Sequence, residues 1–159
     1  MNPTKLDKCE NFGDVFELVK ASVETTLKQH RGGLMLYLAD LSPSIGALHG
    51  LGSNGIVINR LVFNTVSLFA KSKSELYSFL YAVLLHEYLH SLGYVDELDV
   101  RRLTLKVAEA TFGADHLTTT MAMSPMAFFP RLANTDSVPT EENVELIKDF
   151  DRTAQRYFV

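Results

Sequence analysis

The stretch LLHEYLHSLGYVDE, residues 84–97, sets His86, Glu87 and His90 among the leucines of a helical pattern. His86 and His90 are one helical turn apart, so both imidazoles project from the same face of the predicted helix. Glu87 directly follows the first histidine. Burying two neutral histidines and a carboxylate among leucines is costly unless a ligand or hydrogen bonds satisfy them. The stretch therefore predicts a buried helix that carries a polar site.

Two imidazoles at this spacing suit one tetrahedral zinc ion, and His-Glu-x-x-His is a metalloprotease signature for that reason. Zinc lowers the pKa of a bound water to about 7, and an adjacent carboxylate accepts the proton of that water. We therefore predict a Zn²⁺ site ligated by His86 and His90, with Glu87 as the catalytic base. The competing interpretation is a pair of hydrogen-bonded core histidines beside a surface glutamate.

A catalytic zinc site needs a third protein ligand and leaves the fourth position to water. Asp96 is the first candidate, because Gly93 would end the helix and let the chain turn back beneath the metal; alternatively, Asp96 only caps the next helix. His116 is the next candidate, although it equally suits a group that polarises the substrate carbonyl or an ordinary surface histidine. Glu109 is the third, but a rise of about 1.5 Å per residue would carry it past the metal.

The apolar pattern changes at about Ser72 from short β-branched runs to helical spacing. The pattern predicts an α+β fold in which a small sheet of about three strands packs on the active-site helix and further helices, in a single domain spanning residues 1–159. The predicted strands are 34–41, 45–48 and 55–63, the predicted helices are 12–28, 72–93, 96–113 and 141–158, and residues 114–139 are expected to form an ordered irregular loop.

The composition limits the partners and the compartment. A formal net charge of −4 argues against nucleic acid as the main partner, and the cluster of Arg101, Arg102 and Lys106 is interpreted as a solvated helix face. The longest apolar run, residues 76–85, is too short to cross a membrane, and no secretory signal opens the sequence. The single cysteine, Cys9, excludes an internal disulfide and favours the cytoplasm. It is expected to be an inert thiol, the alternative being a thiol that blocks the metal.

The chain from about Leu34 to Met126 resembles the zincin metallopeptidases, which place HExxH on a helix after a small sheet, here HEYLH at 86–90. The extension HSLGYVD at 90–96 is similar to the metzincin branch, with the form HExxHxxGxxD. HEYLHSLGYVDE and FGADH are also similar to segments of small archaeal HExxH proteins.

Metzincins bear a methionine turn under the zinc, and the resemblance implies that Met121 or Met123, in TTTMAMSP, fills that place. Ordinary core packing is the alternative for either methionine. Two features depart from the family pattern: a helix is predicted to begin directly after Asp96, and the chain is short for a protease with a well-defined cleft.

The resemblance implies a zinc-dependent metallopeptidase that hydrolyses peptide bonds through a metal-bound water activated by Glu87. Its partner would be a peptide or protein, with no nucleic acid and no membrane. An edge strand, residues 45–49 or 55–59, would hold the extended substrate by main-chain hydrogen bonds.

The sequence also allows two other functions. HEYLHSLGYVD is also similar to the His-x-x-x-His-x-x-x-Gly-Tyr-Asp-His pattern of a bacterial endoribonuclease family that matures ribosomal RNA. That family lacks a glutamate at the position of Glu87 and has a third histidine where this chain has Asp96-Glu97. The last alternative is a non-catalytic module in which zinc only fastens the helix pair, but no cysteine lies near the histidines to close such a site.

Overall fold

The computed structural model describes residues 3–41, 47–49, 54–123, 144–148 and 150–151. These ranges form an α+β arrangement of helices around a mixed sheet. The helices are α1 (Pro3–Asp7), α2 (Phe12–Leu27), α3 (Arg60–Phe69), α4 (Lys73–Ser91), α5 (Glu97–Phe112) and α6 (Leu117–Met123). The strands are β1 (Met35–Ala39), β2 (Ala47–His49), β3 (Gly55–Asn59) and β4 (Glu145–Ile147).

The sheet has the strand order β2-β3-β1-β4, so β2 and β4 are its edges within the described ranges. The central strands β1 and β3 are parallel, whereas both edge strands pair in the antiparallel direction. In the central pair, Leu36 lies opposite Ile56 and Leu38 opposite Ile58. These four side chains are buried on one face of the sheet, where the β-branched and leucine side chains form the surface on which the helices pack.

Helix α4 is the central helix of the core. It begins after Ser72, whose hydroxyl accepts a hydrogen bond from the Glu75 amide, and it is buried on nearly all sides. Leu84, Leu85 and Tyr88 of α4 belong to the same apolar cluster as the inner face of the sheet, α2 and α5. The predicted packing of the sheet on the motif-bearing helix is therefore confirmed. No helix in the described ranges is long and apolar enough to cross a membrane.

The predicted strand 55–63 is correct only as far as Asn59. Asn59 is the N-cap of α3: its fully buried side chain accepts hydrogen bonds from the backbone amides of Leu61 and Leu41 and donates one to the Leu41 carbonyl. The side-chain amide of Asn59 forms hydrogen bonds with backbone groups both after β1 and at the start of α3. The chain therefore turns from extended to helical conformation at this residue.

Two predictions in the C-terminal half are corrected. Helix α6 lies within residues 114–139, which were expected to be irregular; its polar Thr118 and Thr119 are buried and hydrogen-bonded to Ser78 and to backbone carbonyls of α5 and Gly113. Strand β4 lies within the predicted helix 141–158, and Ile147 pairs with Leu36 of β1. The remainder of both predicted segments, residues 124–143, 149 and 152–159, lies outside the described residues, as do residues 45 and 46 of the second predicted strand.

Candidate metal centre

The last two turns of α4 carry the histidine pair. His86 and His90 lie on one face of the helix as the sequence predicts, with ring centroids 5.0 Å apart and planes inclined at 69°. Their side chains are 23% and 13% exposed, so both rings are at the boundary between the core and solvent. A ligand approaching from solvent can reach both Nε2 atoms, while the helix holds the rings from behind.

Glu97, the first residue of α5, joins the two histidines. Its Oε2 lies 3.0 Å from Nε2 of His86, and its Oε1 lies 2.8 Å from Nε2 of His90. One ligand atom from each of the three residues can be chosen such that all lie within 4.8 Å of one another. In the part of the chain that the structure describes, these three residues form the only group of this kind, and they form the candidate metal centre.

The tautomer of His90 follows from its second contact. Nδ1 lies 2.7 Å from the carbonyl oxygen of Tyr94, and a carbonyl oxygen only accepts hydrogen bonds. Nδ1 therefore carries a proton, which leaves Nε2 of a neutral His90 with a lone pair directed at Glu97. A backbone carbonyl behind a histidine in this way orients the ring and raises its basicity as a ligand.

The contact between His90 and Glu97 is favourable when a proton or a metal ion lies between the two side chains. A lone pair 2.8 Å from a carboxylate oxygen is repulsive, whereas the same contact is favourable when Nε2 carries a second proton or when both atoms bind one metal ion.

Burial lowers the pKa of His86; the Glu97 carboxylate raises it, and the charges of His90 and Arg101 lower it again. The lowered pKa favours the neutral imidazole, which is the form that binds a metal.

The turn after α4 sets the direction of the Tyr94 carbonyl. Gly93 has φ +108°, a conformation that side-chain-bearing residues rarely adopt, and it turns the chain from α4 toward α5. The hydroxyl of Tyr94 donates to Oε1 of Gln29 at 2.7 Å, and the Arg31 guanidinium donates to the carbonyl of Ser91. The segment between α2 and β1 therefore fastens both the end of α4 and the turn that supports His90.

Glu87 lies beside the centre and is 6% exposed. Its Oε2 has no hydrogen-bond partner among the described residues, which is costly for a buried carboxylate. Burial raises the pKa of Glu87 to about 7, the His90 charge opposes this, and the Glu97 charge adds to it. A buried acid with an unsatisfied oxygen and a pKa near neutrality is suited to accept and return a proton.

Asp96 is not part of the metal-ligating group. Its side chain accepts a hydrogen bond from the Leu98 amide at 2.8 Å and caps α5, which is the alternative that the sequence left open. The neighbouring Glu97 takes the position beside the histidines. The sequence analysis missed Glu97, although one signal was present: aspartate is a preferred N-cap residue, and the next side chain is then free to face the preceding helix.

His116 and Glu109 also lie outside this group. The His116 ring stacks on Phe112 with centroids 4.9 Å apart, and its Nδ1 accepts a hydrogen bond from the Thr118 amide. Glu109 is exposed and lies three helical turns beyond Glu97 on α5. Neither side chain is brought together with His86 and His90.

The sulfur-containing residues considered from the sequence pack elsewhere. Met121 is fully buried in a second apolar cluster with α3 and α4, and Met123 is 61% exposed. The buried thiol of Cys9 donates to the carbonyl of Lys5, and burial raises its pKa to about 11, so it is an inert thiol in the core.

No protein-family model, curated protein or solved structure gives a significant match to the chain.

The donor set fits a zinc ion. Two imidazole nitrogens and one carboxylate form the ligand set of one class of catalytic zinc sites, with metal–ligand distances of about 2.0–2.2 Å. The geometry brings these three donors together, and the repulsion between a neutral His90 and Glu97 is relieved by a cation between them. Glu87, whose Oε2 has no hydrogen-bond partner among the described residues, follows the first of these donors in the chain.

Proposed function

We propose that the protein is a zinc-dependent hydrolase of peptide bonds. His86, His90 and Glu97 would hold the metal, and Glu87 would be the general base. The observation that carries the proposal is the pairing of one exposed carboxylate with two imidazoles, beside a second carboxylate that is buried and lacks a hydrogen-bond partner for one oxygen. The exposed carboxylate would be a metal ligand and the buried carboxylate would be the proton acceptor.

When bound, zinc lowers the pKa of a coordinated water and polarises the substrate carbonyl. Glu87 accepts the proton of the attacking water and returns it to the leaving amine. Its raised pKa matches this task, because a base with a pKa near the working pH both accepts and donates readily. The Tyr94 carbonyl keeps His90 in the tautomer whose Nε2 faces the reacting position.

The sheet offers one edge next to the motif-bearing helix for an extended peptide. Strand β2, at Ala47–His49, is an edge strand that packs beside α4. Strand β3 lies between β2 and β1, so both of its sides are already paired. Of the two strands considered from the sequence, only the segment containing β2 can add a substrate strand by main-chain hydrogen bonds.

The two alternatives lack comparable support. A zinc ion that only fastens helices has four protein ligands, whereas the group among the described residues has three, the number of protein ligands in catalytic sites. A ribonuclease of the family considered from the sequence would need a third histidine, and the residue beside His86 and His90 is the carboxylate of Glu97.

Two variants test the proposal. Metal analysis of the purified wild-type chain and of His86→Ala measures whether one zinc per chain depends on the histidine pair. Glu87→Gln should retain zinc and lose cleavage of a casein-derived peptide mixture by about 100-fold or more, the scale of general base catalysis. Cleavage retained in Glu87→Gln would exclude Glu87 as the base. Cleavage of single-stranded RNA by the wild type, without peptide cleavage, would favour the ribonuclease alternative.

A further inference from the structure

Arg101 lies one helical turn after Glu97 on α5. Residues four apart on a helix share a face, and helical side chains lean toward the N-terminus of their helix. Arg101 therefore lies on the face of α5 that carries Glu97, the residue of this helix in the candidate metal centre.

Two neighbouring arginines differ in their partners. Arg102 lies 3.8 Å from Oδ1 of Asp99 in an exposed ion pair. Arg101 is exposed and forms no ion pair within the described ranges, because both oxygens of Glu97 face the histidines instead. A guanidinium with unused donors next to a catalytic position is suited to bind an anionic group of a substrate.

Apolar side chains lie on both sides of Glu97. Val95 is 62% exposed and Leu98 is 66% exposed. Val95, Leu98 and Arg101 thus give the chain around Glu97 exposed apolar side chains and an exposed cation. A substrate residue that combines a nonpolar portion with a negative charge would match this surface.

We infer that Arg101 binds a carboxylate of the substrate close to the scissile peptide bond, an inference that rests on the proposed function. The guanidinium presents paired N–H donors that match the two oxygens of a carboxylate. Two sources supply this group in a peptide: the free C-terminal carboxylate, which would make the enzyme a carboxypeptidase, and an acidic side chain beside the cleaved bond.

Matched synthetic peptides separate these sources. One hexapeptide of alanine and leucine is prepared with a free C-terminus, a second has the same sequence with a C-terminal amide, and a third is an amide with glutamate at the last position. Binding is measured by calorimetry to zinc-loaded Glu87→Gln, and cleavage by mass spectrometry with the wild type. Arg101→Gln and Arg102→Gln are introduced into both backgrounds, since Arg102 provides the same charge loss one residue away. Zinc content is checked for each variant.

The expected result is at least about tenfold tighter binding of one of the two carboxylate-bearing peptides than of the plain amide, the scale of a charge-assisted hydrogen bond. Arg101→Gln should abolish that preference and Arg102→Gln should retain it. The preferred peptide identifies the source of the carboxylate. Equal binding of all three peptides, or an equal loss in both arginine variants, would overturn the inference.

The same data keep the two proposals apart. A carboxylate preference that depends on Arg101, without cleavage of any peptide by the zinc-loaded wild type, would support recognition by Arg101 and refute peptide hydrolysis. Cleavage that requires Glu87 but ignores the carboxylate and Arg101 would support hydrolysis and refute the role of Arg101.

Discussion

The Nε2 atom of His90 lies 2.8 Å from Oε1 of Glu97, the first residue of the following helix. The candidate centre therefore joins the end of α4 to the start of α5 across a short turn. Two ligands are fixed by one helix, and the third depends on how the turn places the next helix.

Glu97→Gln should lower zinc affinity by about 100-fold or more, because it removes the one carboxylate of the candidate ligand group found among the described residues. Changes behind a ligand typically cost about 10–100-fold, and the loss of a ligand should exceed that range. Asp96→Asn is the matched control: asparagine caps a helix about as well as aspartate, so both stability and zinc affinity should be unchanged. Competition titration with a zinc indicator measures both affinities, and a larger loss in Asp96→Asn would return the third ligand to Asp96.

Tyr94→Phe should weaken zinc binding by about tenfold although residue 94 offers no side-chain ligand. The variant removes the hydroxyl that donates to Gln29, and with it the restraint on the turn whose carbonyl holds Nδ1 of His90. Tyr37→Phe removes a hydroxyl whose hydrogen bond within the described ranges goes to Sδ of Met35, so it should leave zinc affinity as in the wild type. Equal zinc affinity in Tyr94→Phe, Tyr37→Phe and the wild type would contradict this role of the Tyr94 hydroxyl.

The sequence predicts the positions of the candidate residues that obey helical spacing, but it does not predict that Glu97, which follows the turn, lies beside the two histidines. His86, Glu87 and His90 follow from a period of one turn. The choice between Asp96 and Glu97 depends on which side chain bonds to its own helix and which faces α4. Spacing alone does not distinguish adjacent residues at a helix start, and the cap preference of aspartate decided the outcome.

The same limit explains the errors in the fold. The long helices α2, α4 and α5 were predicted to within two residues at each end, because their apolar period is sustained over the whole length of each helix. Strand β4 depends on its pairing with Leu36, more than a hundred residues earlier, and a local pattern does not contain that contact. The threonines of α6 have low helix propensity, and their helix is stabilised by hydrogen bonds of buried hydroxyls to other elements.

Lys20→Met should destabilise the protein by about 3–5 kcal/mol, since it removes the ammonium of a buried ion pair from the carboxylates of Asp151 and Glu17. The Lys20 ammonium is 3.0 Å from Oδ1 of Asp151, whose side chain is 2% exposed and also accepts from the Leu34 amide. Urea denaturation monitored by circular dichroism measures the difference. Lys71→Met, at an exposed lysine, should change stability by less than about 0.5 kcal/mol. Similar small effects in both variants would show that the pair is not buried in solution.

Glu87→Gln should stabilise the zinc-free protein at alkaline pH. Burial raises the pKa of Glu87 from 4.5 to about 7, so the folded state resists its ionisation while the unfolded state does not. The sign follows from linkage: the cost is absent below the unfolded pKa, grows as the pH rises from about 4.5, and is complete above about 7. A shift of this size corresponds to about 3 kcal/mol. Glutamine resembles the protonated acid in shape and avoids that cost.

We therefore expect the stability gain of Glu87→Gln to be under about 1 kcal/mol at pH 5 and about 3 kcal/mol at pH 8, measured by urea denaturation with a chelator present. Glu109→Gln, which removes an exposed carboxylate of α5, should differ from the wild type by a constant small amount at both values. A gain that does not grow with pH would mean that Glu87 is solvated in the zinc-free protein. Burial would then not raise the pKa of Glu87, and the proposed hydrolysis would lose its physical argument for Glu87 as the base.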